Sequence, residues 1–184
     1  MLLVFSKNFY TAAINNYFQF YTIKKFGFSN AEAQVYLFYF LGAVAAGSLI
    51  GGFLGDKVGR KFIIWFSILG AAPFALWLPY ADATTTAVLI VLIGFIISSA
   101  FASILVYSQE LLPQKIGMIS GFFYGFAFGM GGLASAVLGK LIDITSIDFV
   151  YKLCSFLPLM GLIAYFLPNL SSVSLSQKQT QTTP

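Results

Sequence analysis

The fold of this chain is decided by ten residues, Gly52-Phe-Leu-Gly-Asp56-Lys57-Val-Gly59-Arg60-Lys61. The stretch is small and charged, and it separates two strongly apolar segments. Its glycines allow the chain to reverse direction without a clash at Cβ. Its three cations resist transfer across a bilayer, so we expect this turn on the cytoplasmic side of a membrane.

The composition excludes an ordinary soluble domain. Charged residues make up 9% of the 184 residues and apolar residues 59%, whereas soluble domains carry about 25% charged residues. A soluble fold of this size could not bury so much apolar surface. The net charge of +4 is spread over connecting segments, which is not the pattern of a nucleic-acid-binding protein. The composition therefore predicts an all-α protein that crosses a lipid bilayer several times.

Six apolar segments are long enough to cross a membrane, which takes about 20 residues of helix. Together they form a predicted bundle over residues 1–170, followed by a polar tail over 171–184 that we expect to be disordered. The predicted spans are 2–23, 31–55, 62–80, 85–109, 116–140 and 149–168.

Polar side chains are concentrated on one face of the first and fourth segments. A row of them facing lipid would be costly, so each row faces another helix or a water-filled substrate path. We favour the path, because contact between helices rarely needs polar groups along a whole span. For Lys7, attraction of an anionic substrate and snorkelling to the nearby interface fit equally well. The predicted path residues are Lys7, Asn8, Thr11, Asn15, Gln19, Ser99, Ser103 and Tyr107.

Small residues recur at every fourth position in the second and fifth segments, a spacing that lets helices approach closely. The third segment is almost free of polar residues, and we expect its Trp65 and Trp77 to point away from the path. The order of polar face, small-residue ladder and lipid face thus occurs twice. Three spans per copy invert the second copy, which predicts an inverted 3+3 repeat. The ladders consist of Ala43, Gly47, Gly51 and Gly55, and of Gly117, Gly121, Gly125 and Gly129.

The ten-residue stretch resembles, at every position, the loop signature of the major facilitator superfamily of secondary transporters. The resemblance runs from about residue 2 to residue 168 and is closest to the C-terminal half of drug-efflux members. It includes Val44-Ala-Ala-Gly, Tyr107-Ser-Gln-Glu-Leu-Leu-Pro113 and Gly125-Phe-Ala-Phe-Gly-Met-Gly-Gly132. The signature residues are Gly52, Gly55, Asp56, Lys57, Gly59, Arg60 and Lys61.

This resemblance implies half of a proton-coupled antiporter that exports drugs such as anionic phosphonate antibiotics. The first and fourth helices would line the path, the second and fifth would face the other half, and the third and sixth would face lipid. The resemblance also implies a bacterial inner-membrane location, cytoplasmic termini, and an ion pair between Glu110 and Arg60 on the cytoplasmic side. No acidic residue lies in the middle of a predicted span, so the carboxylate that carries the proton would belong to the other half.

A complete facilitator has two six-helix halves, so we expect a second half, on a separate chain or a second copy. It would dock on both glycine ladders, with Asp56 taking part. The alternative is a non-transporting truncated fragment or a membrane interaction module. An enzyme is not expected, because no nucleophile is paired with a base. With no histidine and with Cys154 as the only cysteine, neither a metal nor a cofactor is expected.

Overall fold

Helices form every regular element in residues 2–157, which are the residues that the computed structural model describes. The all-α prediction is confirmed for this part of the chain. Short 3₁₀ turns follow α4 at Leu78–Tyr80 and precede α6 at Pro113–Lys115. The helices are α1 (Leu2–Phe26), α2 (Asn30–Val58), α3 (Arg60–Leu69), α4 (Ala71–Trp77), α5 (Ala83–Leu111), α6 (Ile116–Ile144) and α7 (Ile147–Cys154).

Four helical stretches within residues 2–157 are long and apolar enough to cross a membrane, and they contain the second to fifth predicted spans. α1 is 25 residues long, but its polar side chains make it less apolar than these four. The sixth predicted span, 149–168, begins inside α7 and continues outside the described residues, where the tail 171–184 also lies. The four stretches are Asn30–Val58, Arg60–Tyr80, Ala83–Leu111 and Pro113–Ile144.

Polar side chains fix the starts of two helices. In front of α2, the Ser29 hydroxyl accepts a hydrogen bond from the Glu32 amide at 3.3 Å, and the Glu32 carboxylate accepts one from the Ser29 amide at 2.8 Å. In front of α5, the Thr85 hydroxyl donates to the Asp82 carboxylate at 2.6 Å, which lowers the pKa of Asp82. The contacts of Ser29 and Glu32 satisfy amide groups that would otherwise be unpaired at the start of α2, whereas the contact in front of α5 joins two side chains.

The turn between α2 and α3 consists of a single residue, Gly59. Its φ is 102°, a conformation that strains any residue with a side chain, and its amide donates to the Gly55 carbonyl at 3.2 Å. The sequence predicted a longer turn. The predicted spans ended at residue 55 and resumed at residue 62, whereas α2 continues through Asp56 to Val58 and α3 begins at Arg60.

The third predicted span is long and apolar enough to cross a membrane, but it is not one regular helix. α3 ends at Leu69 and α4 begins at Ala71. Pro73 has no N–H to donate to the carbonyl of Leu69, which interrupts the helical hydrogen bonding there. Trp77, in α4, is exposed, as are Phe62 and Phe66 of α3, so this span presents an apolar outer surface of the kind that suits lipid.

α5 is the centre of the bundle and contacts α2, α3, α4 and α6. Ile90 and Ile93 pack with α1 and α7 in one apolar core. Ala100 and Ile104, further along α5, pack with α3 and α6 in another. The position of α5 therefore determines which faces of α2 and α6 remain accessible.

The glycine ladder of α2 packs against α5 within the chain. A Cβ added at Gly47 would lie 2.3 Å from the Phe95 carbonyl oxygen, and one added at Gly51 would lie 2.2 Å from the Ser99 carbonyl oxygen. Only glycine permits backbones to approach this closely. The expectation that a second six-helix unit docks on this ladder is therefore wrong, because α5 already fills it.

The glycine ladder of α6 is open. A Cβ added at Gly117, Gly121, Gly125 or Gly129 would meet no atom within 4 Å among the described residues. The large side chains of Phe122 and Phe128, on the same helix, are exposed. The two ladders have the same spacing, yet only the ladder of α2 is packed within the described part of the chain.

Candidate functional site

A cavity of about 320 Å³ lies between α1, α2, α5 and α6. This volume is at the lower end of the range of about 300–1,000 Å³ that is typical of small-molecule pockets. Its polar side chains come from three helices, and Lys7 is the one charged side chain among the described lining residues. The lining consists of Lys7, Asn8, Thr11, Val44, Ser48, Ile97, Ser98, Phe101, Ile104 and Phe123.

Lys7 reaches across the bundle from α1 to α3. Its ammonium group donates a hydrogen bond to the hydroxyl of Ser67, which is fully buried and donates in turn to the Ile64 carbonyl at 2.9 Å. Ser67 lies seven residues after Arg60, which corresponds to roughly 10 Å along the helix axis. The ammonium group is therefore held inside the bundle, at the wall of the cavity, and does not extend back to the start of its own helix.

The other predicted residues of α1 occupy different places along one face. Asn8 and Thr11 line the cavity. Asn15 is exposed and Gln19 is half-buried, and both lie further along α1, beyond the residues that line the cavity. Thr22 is buried and donates to carbonyl groups of its own helix. The polar face of α1 thus continues from the cavity onto an open surface near the middle of the helix.

The predicted path residues of α5 do not line the cavity. Ser99 lies against Gly51 and Ser103 against Gly55, at the close contact between α2 and α5. Tyr107 is buried and packs in the core that contains Ile63. Ser99, Ser103 and Tyr107 were predicted as path residues, but close packing of α2 turns this face of α5 toward the ladder and away from the cavity.

Ser98 of α5 and Ser48 of α2 line the cavity in place of the predicted path residues of α5. Sequence reasoning missed both. Ser98 differs from Ser99 only by a rotation of about 100° around the helix axis. Both serines lie beside α2, Ser98 next to Gly47 and Ser99 next to Gly51, but only Ser98 also lines the cavity. Ser48 directly follows the ladder glycine Gly47, and no role was predicted for it from the sequence.

A second polar group joins α1 to α6 near the middle of both helices. The Asn16 amide nitrogen donates to the Ser135 hydroxyl at 2.8 Å, and the Tyr17 hydroxyl donates to the Ser135 carbonyl at 2.7 Å. Gly139 makes room for Tyr17, since a Cβ there would lie 2.6 Å from the tyrosine oxygen. Asn16 was not predicted as a site residue, because it lies beside the polar row of α1 that contains Asn15 and not within that row.

The charged residues at the end of α2 form a connected group. Arg60 donates to the Asp56 carboxylate at 2.9 Å and forms an ion pair with Glu110 at the end of α5. The structure therefore brings together Glu110 and Arg60, the two charges that the sequence paired. Lys57 lies 4.3 Å from the centre of the Phe53 ring, a cation–π contact. Arg60 thus links the ends of α2 and α5, directly below the packed ladder.

A different set of contacts holds the opposite end of the bundle. The Lys25 ammonium group donates to the carbonyls of Pro79 and Ala81 at 2.7 and 2.8 Å. Lys24 lies 3.9 Å from the Asp148 carboxylate at the start of α7. The last turn of α1 is therefore attached to two other elements.

Comparison with known proteins gives a consistent assignment. The family model described as the Major Facilitator Superfamily matches residues 1–136. The chain is 62% identical over 169 residues to the fosmidomycin resistance protein of Escherichia coli (strain K12), an alignment that covers 92% of this chain and 42% of that protein.

Two further relatives are similar. An uncharacterised MFS-type transporter of Bacillus subtilis (strain 168), YfnC, is 40% identical over 157 residues, which cover 85% of this chain and 38% of the relative. The cis,cis-muconate transport protein of Acinetobacter baylyi (strain ATCC 33305 / BD413 / ADP1) is 28% identical over 125 residues, which cover 67% and 30%. The chain thus spans about two fifths of the length of the first two relatives. The resemblance identified from the signature stretch is confirmed.

Proposed function

The chain belongs to the major facilitator superfamily, and we propose that it is one six-helix half of a proton-coupled antiporter that exports fosmidomycin-like drugs. The family is one of membrane transporters and not of typical enzymes. The observation that carries the proposal is the polar face of α1. Asn15 lies near the middle of a membrane-length helix and is exposed, which would be costly against lipid. An aqueous path beside α1 removes that cost.

The substrate is an anion in this proposal. Lys7 supplies a positive charge at the cavity wall, while Asn8, Thr11, Ser48 and Ser98 supply hydrogen-bonding groups. Fosmidomycin, which gives the Escherichia coli relative its name, is a phosphonate, and muconate in the name of the third relative is a dicarboxylate. Both are anions that an ammonium group in a partly dehydrated cavity attracts more strongly than it would in water.

The transporter half has the inverted 3+3 arrangement in this proposal. In such a repeat the first span corresponds to the fourth and the second span to the fifth. The contact between α2, the second span, and α5, the fourth, should therefore recur as a contact between α6, the fifth span, and α1, the first. Both contacts are present, which supports the repeat. The turn at Gly59 and the connection at 112–115 lie in the cytoplasm together with both termini, and the connection at 81–82 lies outside.

The second six-helix half docks on the open ladder of α6. An exposed row of glycines, flanked by Phe122 and Phe128, allows close approach of another helix. The chain's six carboxylates are Glu32, Asp56, Asp82, Glu110, Asp143 and Asp148, and each lies within a few residues of a helix end. The carboxylate that exchanges the proton therefore belongs to the second half.

A complementation experiment tests the proposal. The chain is expressed in cells that lack fosmidomycin export, either alone or together with the N-terminal half of the Escherichia coli relative. We expect resistance only when both halves are present, and we expect Gly121→Leu to abolish it. Gly42→Leu is the matched control, since its position on α2 is exposed and open. Equal drug sensitivity with and without the second half, when both insert into the membrane, would overturn the proposal.

A further inference from the structure

We propose that Asn16 is a specificity-determining residue that presents its amide oxygen to a hydrogen-bond donor on the substrate, and that Ser135 is the positioning residue that fixes this orientation. The inference rests on the proposed transport function. It concerns the group that joins α1 to α6 and not the cavity beside Lys7. It starts from the direction of three hydrogen bonds.

The Ser135 hydroxyl donates its only hydrogen to the Gly131 carbonyl at 2.9 Å. It must therefore act as the acceptor in its 2.8 Å contact with Asn16, which requires the amide nitrogen of Asn16 at that position. The Ala12 carbonyl, 2.9 Å from the same nitrogen, also requires a donor. Both N–H groups of the amide are thus committed, and the orientation of the amide follows from its partners.

The Asn16 amide oxygen remains to be satisfied. Asn16 is an exposed residue of α1, two positions after the middle of a 25-residue helix. Among residues 2–157, both hydrogen bonds of its side chain use the nitrogen. In a bilayer the oxygen needs a donor from water or from a solute. It therefore acts as an acceptor at a depth where transporters of this kind bind their substrates.

The surroundings of this oxygen are rigid and open. Tyr17 holds the Ser135 carbonyl, so that α6 is attached to α1 by the backbone and the side chain of the same residue. One turn before Ser135, Gly131 and Gly132 carry no side chains, and a Cβ at either would meet nothing within 4 Å among residues 2–157. A ligand can therefore approach the amide oxygen, while the amide itself cannot rotate without losing two hydrogen bonds.

The ligand group that fits is a hydroxyl or an N–H. A matched pair of probes tests this requirement: fosmidomycin, which carries an N-hydroxyl donor, and its O-methyl derivative, which does not. Transport is measured in vesicles that contain the chain together with the N-terminal half of the Escherichia coli relative. We expect the unaltered protein to transport fosmidomycin roughly tenfold better than the methylated probe, which corresponds to one hydrogen bond.

Three variants separate recognition from packing. Asn16→Ala should reduce the preference to within about twofold. Ser135→Ala leaves Asn16 in place but removes the hydroxyl that accepts a hydrogen bond from its amide nitrogen. The amide can then rotate, and the preference for fosmidomycin over the methylated probe should fall to about threefold. Tyr17→Phe removes a contact between α1 and α6 without touching the amide, and it should keep the full preference even where it lowers stability.

Each result has a separate meaning. A tenfold preference that survives Asn16→Ala would overturn this inference and leave the transport function intact. Equal loss of preference in Asn16→Ala and Tyr17→Phe would show that the group acts only as contact between helices, which also overturns it. Absence of transport of both probes by the unaltered pair would overturn the proposed function, and this inference with it.

Discussion

The helices α2 and α6 carry the same ladder of small residues but use it differently. In α2, Gly47, Gly51 and Gly55 face α5, whose serines and backbone leave space for them. In α6, the corresponding glycines face no described residue, and aromatic side chains stand beside them. A small residue at every fourth position therefore shows that another helix can pack closely there, but it does not identify that helix. The residues that lie against a ladder identify the helix that packs on it, which is α5 for the ladder of α2 and is not among the described residues for the ladder of α6.

The largest expected effect is on the packed ladder. Gly51→Leu would drive a side chain into the Ser99 backbone, because even a Cβ would lie 2.2 Å from its carbonyl oxygen. We expect the free energy of unfolding in detergent micelles to fall by about 3 kcal/mol, at the upper end of overpacking costs. Gly42→Leu on the same helix is the control. Equal stability of the two variants would show that α2 and α5 are not packed in this way.

The open ladder should behave in the opposite manner. Gly121→Leu adds a side chain where no described atom lies within 4 Å, so the free energy of unfolding of this chain alone should change by less than about 0.5 kcal/mol. Copurification with an N-terminal half should fall at least roughly tenfold, which corresponds to about 1.4 kcal/mol. Loss of stability without loss of pairing would reverse our assignment of the two ladders.

A smaller effect concerns the ion pair at the end of the packed ladder. Arg60 connects Asp56 and Glu110, and its side chain is only 21% exposed. In a double-mutant cycle of Arg60→Gln and Glu110→Gln we expect a coupling energy of about 1 kcal/mol, the upper limit for an exposed pair. Strictly additive effects on the free energy of unfolding would mean that the two charges do not interact.

The smallest effect concerns the link between α5 and α6. Gln109 donates to the Ser120 hydroxyl at 2.8 Å, a single neutral hydrogen bond between the helices. Gln109→Ala should lower the free energy of unfolding by about 0.5–1 kcal/mol. The nearby Gln114→Ala, at an exposed position, is the matched control. An effect larger than that of the Arg60 pair would mean that α6 is held more firmly than α2 at this end.

Much of the helical fold could be predicted from the sequence, because apolar segments of membrane length have few alternatives. The break between α3 and α4 was not predicted, although Gly70 and Pro73 are visible in the sequence. The single-residue turn at Gly59 was also missed, since charges and glycines suggested a longer loop. Helix boundaries depend on individual hydrogen bonds, which composition does not reveal.

The candidate site was predictable on one helix and not on the other. Three of the predicted path residues of α1, Lys7, Asn8 and Thr11, line one cavity. On α5 the prediction selected Ser99 where Ser98 lines the cavity. Hydroxyl groups serve equally well at a close helix contact and at a cavity wall. Ser98 lies at both, beside Gly47 and at the cavity wall, and only the rotation of α5 against α2 places it there.

The single-residue turn at Gly59 has a mechanical consequence. Consecutive Cα atoms are about 3.8 Å apart, so one residue between α2 and α3 leaves no slack to absorb a shift of one helix against the other. Between α1 and α2 the chain has three residues, Gly27 to Ser29, and more freedom. A displacement of the end of α2 along its axis would therefore displace the start of α3 by a similar distance. Arg60, the first residue of α3, lies at this joint and is held between Asp56 and Glu110, so the same displacement would also act on the end of α5.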